Sequence, residues 1–226
     1  MLGGRMLVFG GRGSQLVFND VWSFAPSNTG AAGAVWSKVS TTNAPPVRTG
    51  HAAAAVGTGL MVIVGGSGVL GRDSCDVWIL NTATNAWVKV DTTSSPSQPA
   101  GRHGHLLRLV QQDTRASGGA TGTLLMYGGQ SGTADNDPFL RDVWQLQITL
   151  QDSSRCPAAL RGSACGATGV WTQGTSGPPP RANMAVASMG GTGDTVVFGG
   201  FSGYSGGLND RLLFDTWQLV TTPGIE

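Results

Sequence analysis

The chain has 226 residues, of which 40% are hydrophobic and 12% are charged, and its net charge is +1. This composition indicates a folded globular protein and excludes an intrinsically disordered chain. Its two lysines, Lys38 and Lys89, provide no basic stripe, and no apolar run approaches the ~20 residues of a membrane span, so we expect no nucleic acid partner and no membrane insertion by this segment.

Four apolar runs along the chain lead into a pair of glycines. In chain order they are RMLVFGG (5–11), LMVIVGG (60–66), TLLMYGG (123–129) and DTVVFGG (194–200). Because successive glycine pairs lie 55, 63 and 71 residues apart, the runs indicate an internal repeat. Each run predicts a short buried strand, which the glycines end where the backbone needs positive φ and close approach.

Three further pieces recur between the glycine pairs. The first, with alternating apolar residues, is NDVWSF (19–24), CDVWIL (75–80), RDVWQL (141–146) and FDTWQL (214–219). The second carries another tryptophan, in VWSKV (35–39), AWVKV (86–90) and VWTQG (170–174). The third follows a proline-rich turn, in PPVRTGHAAAAVG (45–57), QPAGRHGHLLRLV (98–110) and PPPRANMAVASMG (178–190). Their period and turn residues predict strands.

Each repeat unit is therefore predicted to hold four antiparallel strands, a to d. Strand a follows an arginine, strand b leads into the glycine pair, and strands c and d each carry a tryptophan. Stacking such sheets around an axis buries both faces of each sheet, which is the β-propeller arrangement. We predict an all-β propeller domain over 1–226, with blades at 5–39 (strands b to d), 48–90, 102–174 with an insert at 149–169, and 181–220 (strands a to c).

These pieces resemble the kelch repeat, which has a glycine pair after an apolar strand, a spaced aromatic pair, and Pro-Arg-x-Gly-His ahead of the first strand. The units are similar to Rab9-effector-like and galactose oxidase-like kelch repeats, and the NDVW form, with Trp where many kelch repeats carry Tyr, resembles the Rab9-effector type. In the fourth unit Met184 stands where His51 and His105 stand in earlier units, which departs from the pattern. The resemblance implies a kelch-type β-propeller of about four blades here. Since the sequence opens at strand b and stops after strand c, we expect an open partial ring of a propeller of about six or seven blades.

Residues that recur in the repeat are predicted to serve packing rather than chemistry. His51 and His105 occupy one repeat position and lack the partners of a catalytic or metal site. The arginines before strand a are expected to pair with neighbouring blades, and the aspartates of strand c with turn backbone. These are Arg48, Arg102 and Arg181, and Asp20, Asp76, Asp142 and Asp215. The tryptophans predicted in the blade core are Trp22, Trp36, Trp78, Trp87, Trp144, Trp171 and Trp217.

Some kelch-like propellers are enzymes, but this chain lacks the residues that their sites need. A galactose oxidase-like copper site uses tyrosines, and of the two present Tyr127 takes a core position, which leaves Tyr204. The iron motif of nitrile-specifying kelch proteins starts with glutamate, and Glu226 is the only one. We therefore predict no catalytic residue, no metal site and no cofactor. The alternative is a carbohydrate-binding or enzymatic galactose oxidase-like or mutarotase-like propeller, with a site completed outside this segment.

Two of the three cysteines, Cys156 and Cys165, share the insert and are predicted to form a disulfide across nine residues. Cys75 is predicted to be a lone thiol. A disulfide would indicate an extracellular or lumenal protein, whereas reduced thiols would fit the cytoplasm.

The b–c connections differ most between units, and they emerge on one face together with the d–a connections. Variable loops on a rigid repeated scaffold are where recognition usually occurs. We therefore predict a protein-interaction module, a scaffold or adaptor, for a protein partner that the sequence does not identify. The predicted contact residues, with Tyr204 and Arg211 as principal anchors, are Arg12, Arg72, Asp73, Asp137, Phe139, Phe201, Tyr204, Asn209 and Arg211.

Overall fold

The computed structural model describes residues 4–26, 35–57, 59–114, 120–132, 138–150, 166–175, 177–188, 194–203 and 212–219. In these ranges the chain forms strands and no helix. The strands are β1 (Met6–Arg12), β2 (Val17–Ala25), β3 (Val35–Val39), β4 (Ala52–Val56), β5 (Leu60–Ser67), β6 (Asp73–Asn81), β7 (Ala86–Lys89), β8 (Leu106–Thr114), β9 (Ala120–Tyr127), β10 (Val143–Leu150), β11 (Ala167–Gln173), β12 (Ala185–Ser188), β13 (Thr195–Phe198) and β14 (Thr216–Leu219).

The strands form four antiparallel sheets in chain order. The first and fourth have three strands, β1-β2-β3 and β12-β13-β14, and the middle two have four, β4-β5-β6-β7 and β8-β9-β10-β11. None of these sheets closes on itself. The prediction of an all-β chain built from four antiparallel sheets of three or four strands is confirmed.

Successive sheets pack face to face through their apolar strands. Phe9 and Val21 of the first sheet contact a face of the second that carries Met61, Ile63 and Trp87. The opposite face of the second sheet packs on the third in the largest cluster, which includes Val62, Val64, Leu124, Met126, Trp144, Ile148 and Trp171. Leu106 and Tyr127 of the third sheet meet Val197 of the fourth. Each buried side chain of this kind contributes about 1.5–3 kcal/mol to folding.

The glycine pairs adopt positive φ, as predicted, but they do not always end strand b. In the first two sheets the strand continues beyond the pair, to Arg12 and to Ser67, with a bulge where the register shifts at the glycines. A Cβ on Gly65, at φ +66°, would lie 2.8 Å from the carbonyl oxygen of Arg102 in the next unit. Glycine is therefore required here both for its backbone conformation and for close contact between units.

Backbone hydrogen bonds also join neighbouring units at two levels. Asp91, which follows β7, pairs in parallel with Thr168 of the third sheet, and Thr42 pairs likewise with Ala86 of the second. In the segments before strand a, the Gly104 amide donates to the Gly50 carbonyl, and the Asn183 amide donates to the Gly104 carbonyl, each at 2.8 Å. These bonds tie the sheets into one arc of repeats.

The tryptophans are only partly core residues. Trp87, Trp144 and Trp171 are buried between the middle sheets and their neighbours, whereas Trp22, Trp36 and Trp217 are exposed. Trp22 pairs with Val8 on the face of the first sheet that points away from the second sheet, and Trp217 lies on the edge strand β14. The prediction that all seven lie in the core is therefore wrong for these three. No described sheet covers the face that carries Trp22 and Trp36, and no described strand lies beside β14 next to Trp217.

The third sheet extends into the segment that the sequence assigned to an insert at 149–169. Strands β10 and β11 remain paired through Leu150 and Ala167. Residues 151–165, with Cys156 and Cys165, lie outside the described residues. Cys75 is a free thiol.

Candidate interaction face

An ion pair between a buried arginine and an aspartate occurs in each of the last three units. Arg102, which precedes β8, donates from Nη1 and Nη2 to the carboxylate of Asp142, which lies just before β10, at 2.7 and 2.8 Å. Trp144 donates its indole N–H to the same carboxylate at 2.6 Å. Burial alone would raise the pKa of Asp142, but the hydrogen bonds from Arg102 and Trp144 outweigh it and hold the pKa below its usual range. The equivalent pairs are Arg48–Asp76 and Arg181–Asp215.

This geometry corrects two sequence predictions. The guanidinium groups were expected to reach neighbouring blades, but each pairs with an aspartate of its own sheet. The aspartates were expected to accept from turn backbone, but they accept from arginine and tryptophan side chains. It is the carbonyl of each arginine that crosses to the preceding unit, where it accepts from the second glycine of the pair. These bonds are Gly11 to Arg48, Gly66 to Arg102 and Gly129 to Arg181.

His51 and His105 pack between units, in agreement with the structural interpretation. The His51 ring meets Phe9 of the first sheet edge-on, with centroids 5.3 Å apart. A Cβ on Gly65 would lie 2.9 Å from Cε1 of His105, and Met184 occupies the corresponding place below Gly128. Burial, aided by the nearby arginines, lowers the pKa of His51 to about 4 and that of His105 to about 3. Both imidazoles are neutral packing groups at neutral pH.

The b–c and d–a connections of one unit lie side by side where the structure describes them. In the second, third and fourth units, a residue just after the arginine pairs with a residue just after the glycine pair. These bridges are Thr49 with Ser67, His103 with Gln130, and Ala182 with Phe201. The connection before strand a is therefore hydrogen-bonded to the b–c connection of its own unit, and the two present a joint surface.

The structure places the predicted contact residues unequally on this face. Arg12 and Arg72 are exposed, at the end of β1 and just before β6. Phe139 and Phe201, from adjacent units, meet edge-on with ring centroids 5.3 Å apart. Asp73 is the first residue of β6, and its side chain is only 5% exposed. Asp137, Tyr204, Asn209 and Arg211 lie outside the described residues.

Sequence reasoning missed the apolar side chains that this face exposes. Six large apolar residues of the described chain are more than 60% exposed, and all but Val35 lie in b–c connections. The five residues in b–c connections are Leu16 (65%), Val69 (68%), Leu70 (80%), Leu212 (62%) and Phe214 (78%). Their exposure could have been predicted from their position in the sequence. They fall between the glycine pair and strand c, and so lie outside the alternating pattern of buried residues in either strand.

Among the described residues, no group of three or more histidine, cysteine or carboxylate side chains could hold a metal ion. No helix in the described part of the chain is long and apolar enough to cross a membrane.

Repeated antiparallel sheets, each joined to the next through a glycine pair and each braced by arginine, aspartate and tryptophan, define a kelch-type β-propeller chain. The chain belongs to the KLHDC2/KLHL20/DRC7 Kelch-repeats domain family, which it matches over residues 1–159.

Individual relatives share moderate identity with the chain. It is 27% identical to Adagio-like protein 1 of Oryza sativa subsp. japonica, across 98% of this chain and 33% of that protein. It is 34% identical to the Rab9 effector protein with kelch motifs of Danio rerio, across 51% of this chain and 33% of that protein. The chain thus spans about a third of the length of these curated relatives. A solved structure titled "Structure of YjhT" aligns with 95% of this chain and 65% of that chain at 16% identity and a TM-score of 0.49.

Proposed function

We propose that this chain is a protein-interaction module, a scaffold or adaptor, which binds its partner protein through the b–c and d–a connections. The observation that carries the proposal is the placement of the most exposed apolar side chains. Leu16, Val69, Leu70, Leu212 and Phe214 all lie in b–c connections. Large apolar side chains concentrated on one face mark interaction sites, because leaving them in water has no folding benefit.

The scaffold beneath these side chains is suited to recognition. The Arg102–Asp142 pair and its equivalents brace the strands, so the connections start from rigid points. Burying Leu70 or Phe214 against a partner would contribute about 1.5–3 kcal/mol each. Arg12 and Arg72, which are exposed beside these apolar tips, add the hydrogen-bonding groups that interface centres favour.

Family membership supports a protein partner. The chain belongs to a kelch-repeat family, and one relative is named as an effector of Rab9, which is a statement about that relative.

The test begins by isolating a partner from cells of the source organism with the tagged chain and measuring its affinity by calorimetry. One variant combines alanine at Arg72, Tyr204 and Arg211, and a second combines Leu70→Ser with Phe214→Ser. The matched control places alanine at Arg155 and Arg161, in the insert between strands c and d. We expect each b–c variant to weaken binding at least tenfold, which corresponds to about 1.4 kcal/mol. Loss of binding from the control alone, with circular dichroism unchanged, would refute the proposal.

A further inference from the structure

Asp73 joins three segments of two adjacent units through one carboxylate. Its Oδ2 accepts the backbone N–H of Gly132 at 2.7 Å, and both of its oxygens lie 3.1 Å from Nδ1 of His103. Asp73 belongs to the second sheet, Gly132 to the b–c connection of the third unit, and His103 to the d–a connection that precedes it. With 5% of its side chain exposed, Asp73 offers little surface to a partner.

This contact is not part of the repeat. The residues three places ahead of the recurring aspartate in the other units are Val17, Phe139 and Leu212, and the residues at the place of His103 are Thr49 and Ala182. None of these is charged at neutral pH, so the other units cannot form the same contact. A carboxylate that departs from a packing repeat and is nevertheless buried requires partners, and here both partners are connections of the next unit.

The segment that Asp73 contacts also carries one ring of the aromatic pair. Gln130 bridges to His103 at the start of the b–c connection and to Phe139 at its end. The ring of Phe139 meets that of Phe201 in the next unit, with centroids 5.3 Å apart. Contacts therefore run from Asp73 through His103, Gln130 and Phe139 to Phe201, across the second, third and fourth units.

We propose that Asp73 is a positioning residue that holds the b–c connection of the third unit so that Phe139 packs on Phe201, and the connections of three units form one composite binding surface. The inference rests on the proposed function, since it assigns a role within that interaction face. It also reassigns Asp73, which the sequence had placed among the contact residues.

Asn at position 73 is a sharp probe because it keeps the size of the side chain and changes its hydrogen bonding. A carboxylate accepts from both Gly132 and His103, whereas an amide has one accepting oxygen, and its NH2 group would face one of the two N–H donors. The exchange rate of the Gly132 amide, read by NMR in the whole chain, reports the first contact directly. A nuclear Overhauser effect between the rings of Phe139 and Phe201 reports the position of the connection.

We expect Asp73→Asn to speed exchange of the Gly132 amide at least tenfold and to abolish the effect between Phe139 and Phe201. Arg72→Ala is the matched control: it removes the adjacent exposed side chain and should change neither signal. His103→Thr, which copies Thr49 of the second unit, removes one of the two anchors and should give a smaller acceleration. It also serves as the second variant if Asp73→Asn does not fold. Unchanged exchange and an unchanged ring signal in both variants would overturn the positioning role.

Affinity for the partner isolated with the tagged chain separates this inference from the proposed function. If the positioning role is right, Asp73→Asn and Arg72→Ala both weaken binding, but only Asp73→Asn alters the Gly132 and Phe139 signals. If Arg72→Ala weakens binding and Asp73→Asn leaves it unchanged despite faster exchange, the positioning role is overturned while the proposed function stands. If no b–c variant weakens binding, the proposed function falls, and the positioning role falls with it.

Discussion

Arg102 donates two hydrogen bonds to the carboxylate of Asp142, and its Nη1 also donates to the Gly128 carbonyl at 3.0 Å. The arginine is fully buried, and it precedes strand β8, while the aspartate lies just before β10, two strands across the sheet. The pair therefore fixes the start of β8 relative to the start of β10, at the end of the sheet from which the b–c connection emerges.

Removing the charge of Asp142 should destabilise the chain strongly. Asp142→Asn leaves the buried guanidinium of Arg102 without its counter-charge, and we expect a loss of about 3 kcal/mol in the free energy of unfolding. Urea denaturation provides the measurement. Lys38→Ala is the control, because Lys38 is exposed and lies 3.4 Å from Asp20, so its loss should cost under ~1 kcal/mol. Similar losses in the two variants would contradict the structural role of the buried pair.

Alanine at the second glycine of two different pairs separates the cost of a steric clash between a new Cβ and the backbone from the cost of positive φ. Gly66 and Gly11 occupy the same repeat position with φ of +95° and +103°. A Cβ on Gly66 would lie 2.8 Å from the Thr49 carbonyl oxygen, whereas a Cβ on Gly11 meets nothing within 4 Å. Alanine at either site carries backbone strain of ~1–3 kcal/mol, and Gly66→Ala should cost a further ~1–3 kcal/mol. Equal melting temperatures for the two variants would show that the close approach has no energetic consequence.

Stability should fall below neutral pH because of the two buried histidines. An unfolded histidine protonates near 6.5, while burial lowers the folded pKa of His51 to about 4 and that of His105 to about 3. Between these values the unfolded chain binds more protons, so the stability present above pH 6.5 is lost progressively as pH falls toward 4. We expect a loss of roughly 2 kcal/mol per histidine between pH 7.5 and 4.5.

Methionine provides the matched control for this pH effect, since Met184 fills the same position in the fourth unit. The double variant His51→Met and His105→Met should show a nearly flat free energy of unfolding between pH 7.5 and 4.5 in urea titrations. If the variant retains the full pH dependence, other groups cause it.

The fold could be predicted because its determinants are local and repeated. The glycine pairs, the alternating strand around each tryptophan and the turn before each arginine are visible as short patterns. The ion pairs could not be predicted, since their partners lie 28, 40 and 34 residues apart and nothing local chooses between them and neighbouring blades. The exposure of Leu70 and Phe214 was also hidden, because hydropathy by itself assigns such residues to the core. The burial of Asp73 could not be predicted either, because it depends on a hydrogen bond with Gly132 of the next unit.

The cysteines should differ in reactivity. Burial raises the pKa of Cys75 to about 12, so its thiol should resist alkylation in the folded chain at pH 8. We also predict a disulfide between Cys156 and Cys165. Under denaturing, non-reducing conditions, mass spectrometry should then find one alkylated cysteine per chain, at Cys75. Three alkylated cysteines would show that the disulfide is absent.

Hydrogen–deuterium exchange of the chain with and without its isolated partner protein maps the bound face without substitutions. We expect slower exchange in the b–c connections, at 13–16, 68–72 and 130–141, when the partner is bound. Slower exchange confined to the c–d connections, at 82–85 and 151–165, would contradict it and place recognition on the opposite face.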